Sequence, residues 1–500
     1  MTQSPLADLL SAWLPAQRWF AGSGSLVREI AITSDVQLAA GDPELRHLMV
    51  DVWVGPEKDG PEKVGTEKVG PEKVSYQVLL GLRGQLPPDL AAAVIGTVAD
   101  GRVAYDGARD PELTAYLLRG IAAQRRAGPL RFEAEPGAHI DDTAAGRALP
   151  ALASNTSIVF GDKAILKLLR RPFTGHHPDL EVPAALARNG SKLVAAPLGW
   201  IEMPDAGHPA AVQATTSAPE LSTAAAPAGE SVVLAILSVF FASSSDGWSL
   251  ATASLRSAEP DFSREARLLG EATAQMHIEL AAAFGTSVLS RFALTDLVDA
   301  MDTELTQAIR VVPRLREYEA GIRACYASLA KPVTEVAVQR IHGDYHLAQV
   351  LGTDGGWVVL DFEGEPSVPL ARRRAFAPAL RDVAGMLRSF DYAARHQAMQ
   401  SRNEQRAQQA AERVAAERVA AERVAADWVA ADWVAADWVR RCQDAFCAGY
   451  ADLMGADPAR SGPLLRALTL QKAVYEAVYE ARHRPDWLPI PLAAIAEASR

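Results

Sequence analysis

The apolar positions in the first half of the chain are spaced mainly as in strands. Residues 48–54 and 75–80 are rich in Val, Leu and Tyr and predict two strands joined by a long loop. Residues 6–13 predict a short opening helix, and residues 150–245 are again strand-rich. We therefore expect a mixed α/β unit over residues 1–130, followed by further strands.

The second half of the chain changes to a helical period. Between residues 262 and 330 apolar side chains recur three and four positions apart, as at Leu268, Leu269, Ala272 and Met276. Beyond residue 335 the pattern predicts a strand, a loop and a hairpin, and then helices to the end. The prediction is an α+β protein in which a smaller strand-rich lobe precedes a helical lobe.

Two low-complexity tracts interrupt these patterns. Residues 55–74 repeat a unit of the type GPEKV, whose Pro and Gly disfavour a helix and predict a charged surface loop. Residues 411–440 repeat AERVA and ADWVA units, whose composition predicts a long helix. A five-residue period moves the valines around a helix axis, so it produces no continuous buried stripe. We interpret both tracts as expansions tolerated at the surface.

Composition narrows the class of protein. With 500 residues, 49% apolar and 22% charged, the chain is a globular protein of two or three domains. Its net charge of −11 argues against binding nucleic acid or anionic membrane through its overall field. The three cysteines lack the spacing of a metal site, and the chain has no long apolar run and no leader-like start. We therefore expect a cytoplasmic enzyme without nucleic-acid or membrane partners.

The most informative segment is HGDYHLAQV at 342–350, followed by VVLDFEGEP at 358–366. The turn sequence TDGG between two apolar runs predicts a hairpin over residues 350–360. Gln349 and Asp361 would lie opposite each other at its open end. An amide oxygen beside a carboxylate suits Mg²⁺, which prefers hard oxygen ligands.

Asp344 precedes the first strand of that hairpin and would point into the same space. It would accept the proton of a hydroxyl that attacks a γ-phosphate, as in the general arrangement for phosphoryl transfer. The competing interpretation is a loop whose Asp and His only cap turns. The combination HGDxHxxQ with a hairpin ending in DFE favours the kinase interpretation.

A kinase also needs a cation for the nucleotide. Residues 157–160 and 163–169 predict a hairpin with a two-residue turn, in which Lys167 lies among apolar neighbours. A lone Lys in such a run needs a partner, and Glu181 is the best candidate. The alternative is an edge-strand Lys167 whose ammonium reaches solvent. Ser154, Asn155 and Thr156 occupy the place of a phosphate-covering loop but lack its glycines.

These segments resemble the actinobacterial maltokinase family. The resemblance also rests on RRRAFAPALRDVAGMLRSFDYAA at 372–394 and KAVYEAVYEARHRPDWLPIPLAAI at 472–495. Shorter matching blocks are LPAQRWFAG (14–22), SNTSIVFGDKAILKLLRR (154–171), HPDLEV (177–182) and DGW (246–248). The resemblance implies ATP- and Mg²⁺-dependent phosphorylation of maltose at its anomeric hydroxyl. It also implies a two-lobed protein-kinase-like fold with an N-terminal cap subdomain, and trehalose synthase as a partner.

The resemblance implies roles for particular residues. Asp344 would be the base, Gln349 and Asp361 the metal ligands, and Lys167 with Glu181 the nucleotide anchor. Asp382 would hydrogen-bond the catalytic loop, and residues 239–242, including Phe241 and Ala242, would be the hinge over the adenine. The implied domains are a cap over 1–130, a strand-rich lobe over 131–245 and a helical lobe over 246–500.

The sugar contacts are less determined. Tyr475, Glu476, Tyr479 and Arg482 combine aromatic faces with charged groups, and the two tyrosines share one helical face. The same pattern fits a helix that simply packs on the lobe through its tyrosines. Three other functions stay open: a kinase of this fold for an aminoglycoside or amine, a non-catalytic partner of trehalose synthase, and a glycosidase.

Overall fold

The computed structural model describes residues 5–20, 26–55, 72–150, 155–204, 231–330, 335–365, 368–412 and 421–499. The chain divides into two compact units. The first comprises Met1–Ala184 and Ala195–Ala242, and the second comprises Ala185–Val194 and Ser243–Arg500. The first unit is strand-rich and the second is mainly helical, which confirms the predicted α+β class.

The first unit opens with helix α1 (Pro5–Trp13) and a five-stranded antiparallel sheet of order β1-β2-β3-β5-β4. Its strands are β1 (Leu26–Ala39), β2 (Glu44–Gly55), β3 (Glu72–Arg83), β4 (Val94–Thr97) and β5 (Val103–Asp106). The opening helix and both early strands are confirmed. Residues 56–71 of the first repeat tract lie outside the described residues, so its surface loop stays a prediction.

A second antiparallel sheet follows in the same unit, with order β6-β7-β11-β12-β10-β9-β8. Its strands are β6 (Arg126–Ala127), β7 (Leu130–Ala134), β8 (Gly146–Ala148), β9 (Thr156–Phe160), β10 (Ala164–Leu168), β11 (Pro197–Pro204) and β12 (Ser231–Val239). Helix α2 (Pro111–Ala122) belongs to this unit, and helix α3 (Pro178–Arg188) begins in it and ends in the second unit. The turn between β9 and β10 spans residues 161–163, one residue longer than predicted.

Strand β10 lies inside this sheet. Lys167 pairs with Ser157 on one side and with Ile236 on the other. The interpretation of Lys167 as an edge-strand residue is therefore wrong, because both edges of β10 are hydrogen-bonded to neighbours.

Buried polar side chains join the two sheets of the first unit. Gln77 of β3 donates from its Nε2 to the carbonyl oxygens of Leu169 (2.6 Å) and Leu234 (2.5 Å). Arg170, which is fully buried, donates to Asp106 Oδ2 at 2.6 Å and to the Thr156 hydroxyl at 2.8 Å. Such contacts satisfy groups that would otherwise be buried without partners, so they fix how the sheets meet.

The second unit contains nine further α-helices and five short strands among its described residues. The helices are α4 (Gly247–Leu255), α5 (Ser263–Phe284), α6 (Arg291–Val311), α7 (Glu319–Ala327), α8 (Leu370–Arg373), α9 (Leu380–Glu412), α10 (Ala421–Met454), α11 (Pro463–His483) and α12 (Pro489–Ala498). The strands are β13 (Ser245–Asp246), β14 (Thr286–Leu289), β15 (Val336–Gln339), β16 (Val350–Thr353) and β17 (Gly356–Val359). Strands β16 and β17 form the predicted hairpin, closed by the pair Thr353 and Gly356.

The second repeat tract is helical where the structure describes it. Residues 421–440 belong to α10, while residues 413–420 lie outside the described part of the chain. The interpretation of the tract as a surface expansion is wrong for Trp438, which is fully buried against Phe262 and Phe390. Its indole N–H donates to the Ser254 hydroxyl at 3.2 Å. The repeat thus supplies a core residue at its end.

In the part of the chain that the structure describes, no helix has both the length and the apolar character that crossing a membrane requires.

Replacing Trp438 with alanine should lower the free energy of unfolding by about 3–5 kcal/mol, because it removes a buried indole from a packed aromatic cluster. Urea unfolding followed by circular dichroism measures the change. The control is Phe292→Ala, since Phe292 is 85% exposed and its loss should cost less than about 0.5 kcal/mol. Equal effects from the two variants would show that Trp438 is not a core residue.

Candidate active site

The loop that the sequence predicts to be catalytic, residues 342–347, lies between β15 and β16 and is called the catalytic loop below. Its conformation is held by its own histidines. Gly343 has a φ of +86°, a conformation that favours glycine. His342 donates from Nε2 to the Leu360 carbonyl at 2.7 Å, and its Nδ1 accepts from the Asp344 backbone N–H at 3.3 Å. His346 Nδ1 accepts from the Ala348 N–H at 3.2 Å. Both rings therefore bind backbone groups of the loop and its surroundings.

Helix α9 holds this loop through Asp382. The backbone N–H groups of His342 and Gly343 donate to Asp382 Oδ2 and Oδ1 at 2.8 and 2.9 Å. His277 Nε2 lies 3.1 Å from Oδ2, and Asp382 is 1% exposed. The predicted hydrogen bonding of the loop by Asp382 is confirmed.

Two further residues on the same face of α9 complete this contact. A Cβ at Gly385 would lie 2.5 Å from the Tyr345 carbonyl oxygen, so only glycine permits the helix to come this close. Ser389 accepts a hydrogen bond from the Leu347 N–H at 2.9 Å. Residues 382, 385 and 389 share one helical face, so a single stripe of α9 fixes the loop backbone.

Gln349 and Asp361 lie side by side at the open end of the hairpin. The Leu360 N–H donates to the Gln349 carbonyl at 2.8 Å, and Gln349 Nε2 donates to Asp361 Oδ2 at 3.2 Å. Asp361 has a φ of +63°, a strained conformation for a non-glycine residue. The predicted proximity is confirmed. Amide and carboxylate oxygens are ligands that suit Mg²⁺, so the pair fits that ion; their role as metal ligands stays a prediction.

Asp344 contacts a lysine to which the sequence patterns gave no role. Lys472 of α11 donates from Nζ to Asp344 Oδ1 at 3.0 Å and to Glu365 Oε1 at 2.6 Å. Burial acts to raise the pKa of Asp344, but the charge and hydrogen bond of Lys472, together with His346 and His342, outweigh it and hold that pKa below its ordinary value. Asp344 is therefore a carboxylate at neutral pH, as a general base must be.

The predicted sugar residues lie along α11, next to Lys472. The rings of Tyr475 and Tyr479 stack with centroids 6.5 Å apart, which confirms that they share a face. Lys472 Nζ lies 4.8 Å from the Tyr475 centroid, and the guanidinium of Arg484 lies 5.4 Å from that of Tyr479. Arg482 is exposed. The structure thus places Arg484 against Tyr479, and the role of Arg482 stays a prediction.

The carboxylates around α11 have cationic partners. Arg388, 4% exposed, donates to Glu476 Oε2 at 2.6 Å and to Asp391 Oδ2 at 2.5 Å. Glu480 is buried, and it accepts hydrogen bonds from the Tyr392 hydroxyl and, at 2.6 Å, from Arg484. The predicted contact residue Glu476 is therefore engaged by a buried guanidinium.

The residues predicted to hold the nucleotide lie in the first unit. Lys167 donates to Asp179 Oδ2 at 2.8 Å, so the described ion pair is with Asp179, two residues before the predicted Glu181. Both acids belong to α3, and the pairing with Glu181 stays a prediction.

The other predicted nucleotide contacts differ in their surroundings. Ser154 lies outside the described residues, and Asn155 immediately precedes β9. Thr156 is 3% exposed and binds Arg170, which argues against direct contact of its hydroxyl with a nucleotide. The predicted hinge residues Phe241 and Ala242 follow β12, and Ala242 is the last residue of the first unit.

Comparison with known proteins gives one family match and several relatives. Residues 13–110 match the family described as the maltokinase N-terminal cap domain. A glucosamine kinase of Streptacidiphilus jiangxiensis is 27% identical over 418 residues, covering 81% of this chain and 85% of the relative. A glucosamine kinase of Mycolicibacterium smegmatis is 28% identical over 358 residues, covering 68% of this chain and 76% of the relative.

Solved structures share the fold. A glucosamine kinase in complex with glucosamine, ADP and inorganic phosphate aligns over 99% of both chains with a TM-score of 0.60 and 21% identity. A second crystal form of a glucosamine kinase aligns over 98% of both chains with a TM-score of 0.62, also at 21% identity. The predicted kinase-like fold with an N-terminal cap is confirmed.

The cap-domain match and the two curated relatives support a sugar-kinase-like phosphotransferase, and the solved structures share its fold. The resemblance to maltokinases is confirmed by the cap-domain match, and the relatives are named for a different sugar.

Asp382→Asn should weaken the folded state chiefly at neutral pH. Burial acts to raise the pKa of Asp382, but His277 and the backbone donors of the loop outweigh it and keep that pKa below its unfolded value. The charged carboxylate thus stabilises the folded state above about pH 4, and this contribution is lost as the pH falls further. Unfolding free energies between about pH 3 and 7 should converge for the wild type and the variant at the acidic end. Parallel pH curves would contradict this role.

Proposed function

We propose that this protein transfers the γ-phosphoryl group of ATP to the anomeric hydroxyl of maltose. The products are maltose 1-phosphate and ADP, which would feed α-glucan and glycogen synthesis from trehalose. The support is the maltokinase-type cap, the kinase-like fold and the carboxylate of Asp344 in its fixed loop. The ADP in a structural neighbour is consistent with ATP as the phosphate donor.

In this mechanism Asp344 accepts the proton of the attacking sugar hydroxyl. The oxygen of that hydroxyl forms a bond to the γ-phosphorus, while the bond between the γ-phosphorus and the oxygen of the departing ADP breaks. Lys167, with Glu181 or its observed partner Asp179, would hold the nucleotide phosphates. Gln349 and Asp361 would hold Mg²⁺, which would supply positive charge for the transferring phosphoryl group. The protein contributes mainly positioning and electrostatic stabilisation.

The observation that favours a neutral sugar is the charge pairing around α11. Glucosamine bears an amine that is cationic when protonated, and aminoglycosides bear several. Recognition of an ammonium group calls for carboxylates available to it. Here Glu476 is bound by Arg388, Glu480 by Arg484, and both Asp344 and Glu365 by Lys472. Tyr479 is 43% exposed, and its aromatic surface suits contact with an apolar ring face of a disaccharide.

The second candidate is a glucosamine kinase, favoured by the names of both curated relatives. A non-catalytic role beside trehalose synthase is disfavoured, because Asp344, Gln349, Asp361 and Lys167 are all present. Association with trehalose synthase is compatible with the catalytic proposal and forms part of it.

A panel of sugars incubated with ATP and Mg²⁺ tests the substrate. We expect maltose to be phosphorylated with a kcat/KM at least about tenfold above that of glucosamine, because an unpaired ammonium would face paired carboxylates. The product should release phosphate readily in acid, as an anomeric phosphate does. A kcat/KM for glucosamine above that for maltose would contradict the proposal and favour the glucosamine kinase.

Asp344→Asn is the control for this panel. It should lower kcat by about a hundredfold or more while ATP still binds, because it removes the proton acceptor but not the nucleotide contacts. If the variant retains wild-type turnover, the phosphorylation arises elsewhere.

Asp361→Ala should abolish the dependence of nucleotide binding on Mg²⁺, because it removes the carboxylate of the proposed ligand pair. Titration calorimetry with ATP, with and without Mg²⁺, measures this dependence. The matched control is Asp354→Ala, which alters an exposed carboxylate in the turn of the same hairpin and should leave the titration unchanged. An unaltered Mg²⁺ dependence in Asp361→Ala would exclude the assignment.

A further inference from the structure

We propose that Lys472 and Glu365 form, with Asp344, a three-residue charge cluster that orients the base and sets the pH range in which it works. Lys472 is the positioning residue of this cluster, and Glu365 moderates its charge. The inference rests on the proposed function of Asp344. It gives a role to two residues that lie in the quoted sequence blocks but were assigned none by the motifs or the comparisons.

The geometry of the cluster leaves one oxygen of the base available. Lys472 Nζ bridges Asp344 Oδ1 (3.0 Å) and Glu365 Oε1 (2.6 Å), and its side chain is 16% exposed. Asp344 Oδ2 lies 3.9 Å from His346 Nε2, beyond hydrogen-bond distance. Because Lys472 occupies Oδ1, the hydroxyl that loses its proton would be met by Oδ2.

Position on α11 connects this cluster to the predicted sugar residues. Lys472 lies three residues before Tyr475 and four before Glu476, so the three side chains share a helical face. Its ammonium group lies against the Tyr475 ring. A sugar that moves this stretch of α11 would therefore move the cation that orients the base.

The charges that act on Asp344 come from several elements. Lys472 approaches from α11, with Glu365 on its other side, while His342 and His346 belong to the catalytic loop itself. Burial lowers the pKa of His346 to about 4, so this ring is neutral at neutral pH. Burial also acts to lower the pKa of Lys472, but Asp344 and Glu365 outweigh it and raise that pKa. The ammonium group stays charged, and it is the main cation facing the base among the described residues.

The cluster predicts pKa shifts of opposite sign for its two partners. Without Lys472 the carboxylates of Asp344 and Glu365 would face each other unneutralised, so the pKa of Asp344 would rise. Without the charge on Glu365 the positive charge of Lys472 would act on Asp344 alone, so that pKa would fall. General destabilisation of the site would not shift the pKa in two directions.

The test compares the pH dependence of kcat/KM for Lys472→Met and Glu365→Gln. We expect the acidic limb to move up by about one pH unit or more in Lys472→Met and to move down in Glu365→Gln. Lys472→Arg should keep the limb near its wild-type position because it keeps the charge. Lys192→Met, which changes an exposed lysine of the same unit, should change nothing.

Titration of the aspartate carboxyl carbons by ¹³C NMR gives the same pKa without turnover, with Asp344→Asn assigning the resonance. Absence of phosphate transfer by the wild type would contradict the proposed function alone, since the NMR titration still tests the cluster. Shifts of the same sign in both variants, or none, would overturn the cluster. If Lys472→Met does not fold, a downward shift in Glu365→Gln supports the proposal and an unchanged titration refutes it.

Discussion

The buried carboxylate of Asp382 is the contact on which the candidate active site depends. Its two oxygens accept hydrogen bonds from two consecutive backbone N–H groups of the catalytic loop. A loop has few internal partners for its backbone, and a buried donor left alone is costly. Asp382, on a rigid helix, accepts the hydrogen bonds of these two buried donors. The backbone that carries Asp344 is therefore fixed in position. The glycine at 385 and the hydroxyl of Ser389 extend the same contact along α9.

Charge pairing is the second constraint, and it connects the site to specificity. The acids near α11 are partnered by Arg388, Arg484 and Lys472. Pairing of this kind keeps buried carboxylates tolerable, because an isolated charge away from water is strongly unfavourable. It also reduces the negative potential that would attract a cationic substrate, even though Lys472 is shared by two carboxylates. The arrangement is consistent with a neutral sugar, although the similar curated proteins are named for an amino sugar.

Local patterns predicted the parts of the site that are close in sequence. Gln349 and Asp361 lie at the ends of one hairpin, so the turn between them was enough to place them together. Lys472 is 128 residues from Asp344, and no periodicity relates the two. Asp179 and Glu181 are both acids at the start of one helix, so the choice between them depends on how α3 meets β10. Packing between segments distant in sequence determines which residues pair in such cases, and the spacing of residues along the chain does not.

The same division holds for the fold. The periods of apolar residues determined the strand-rich first part, the helices of the second part and the hairpin, because burial on one face imposes those periods locally. Tertiary structure decided that β10 is an interior strand and that Trp438, within a repetitive tract, is buried. A sequence repeat shows which residues recur, but it does not show which copy packs against another part of the protein. The amino-acid sequence by itself thus determined the elements and the proximity of candidate side chains that are close along the chain, and packing between distant segments decided their partners.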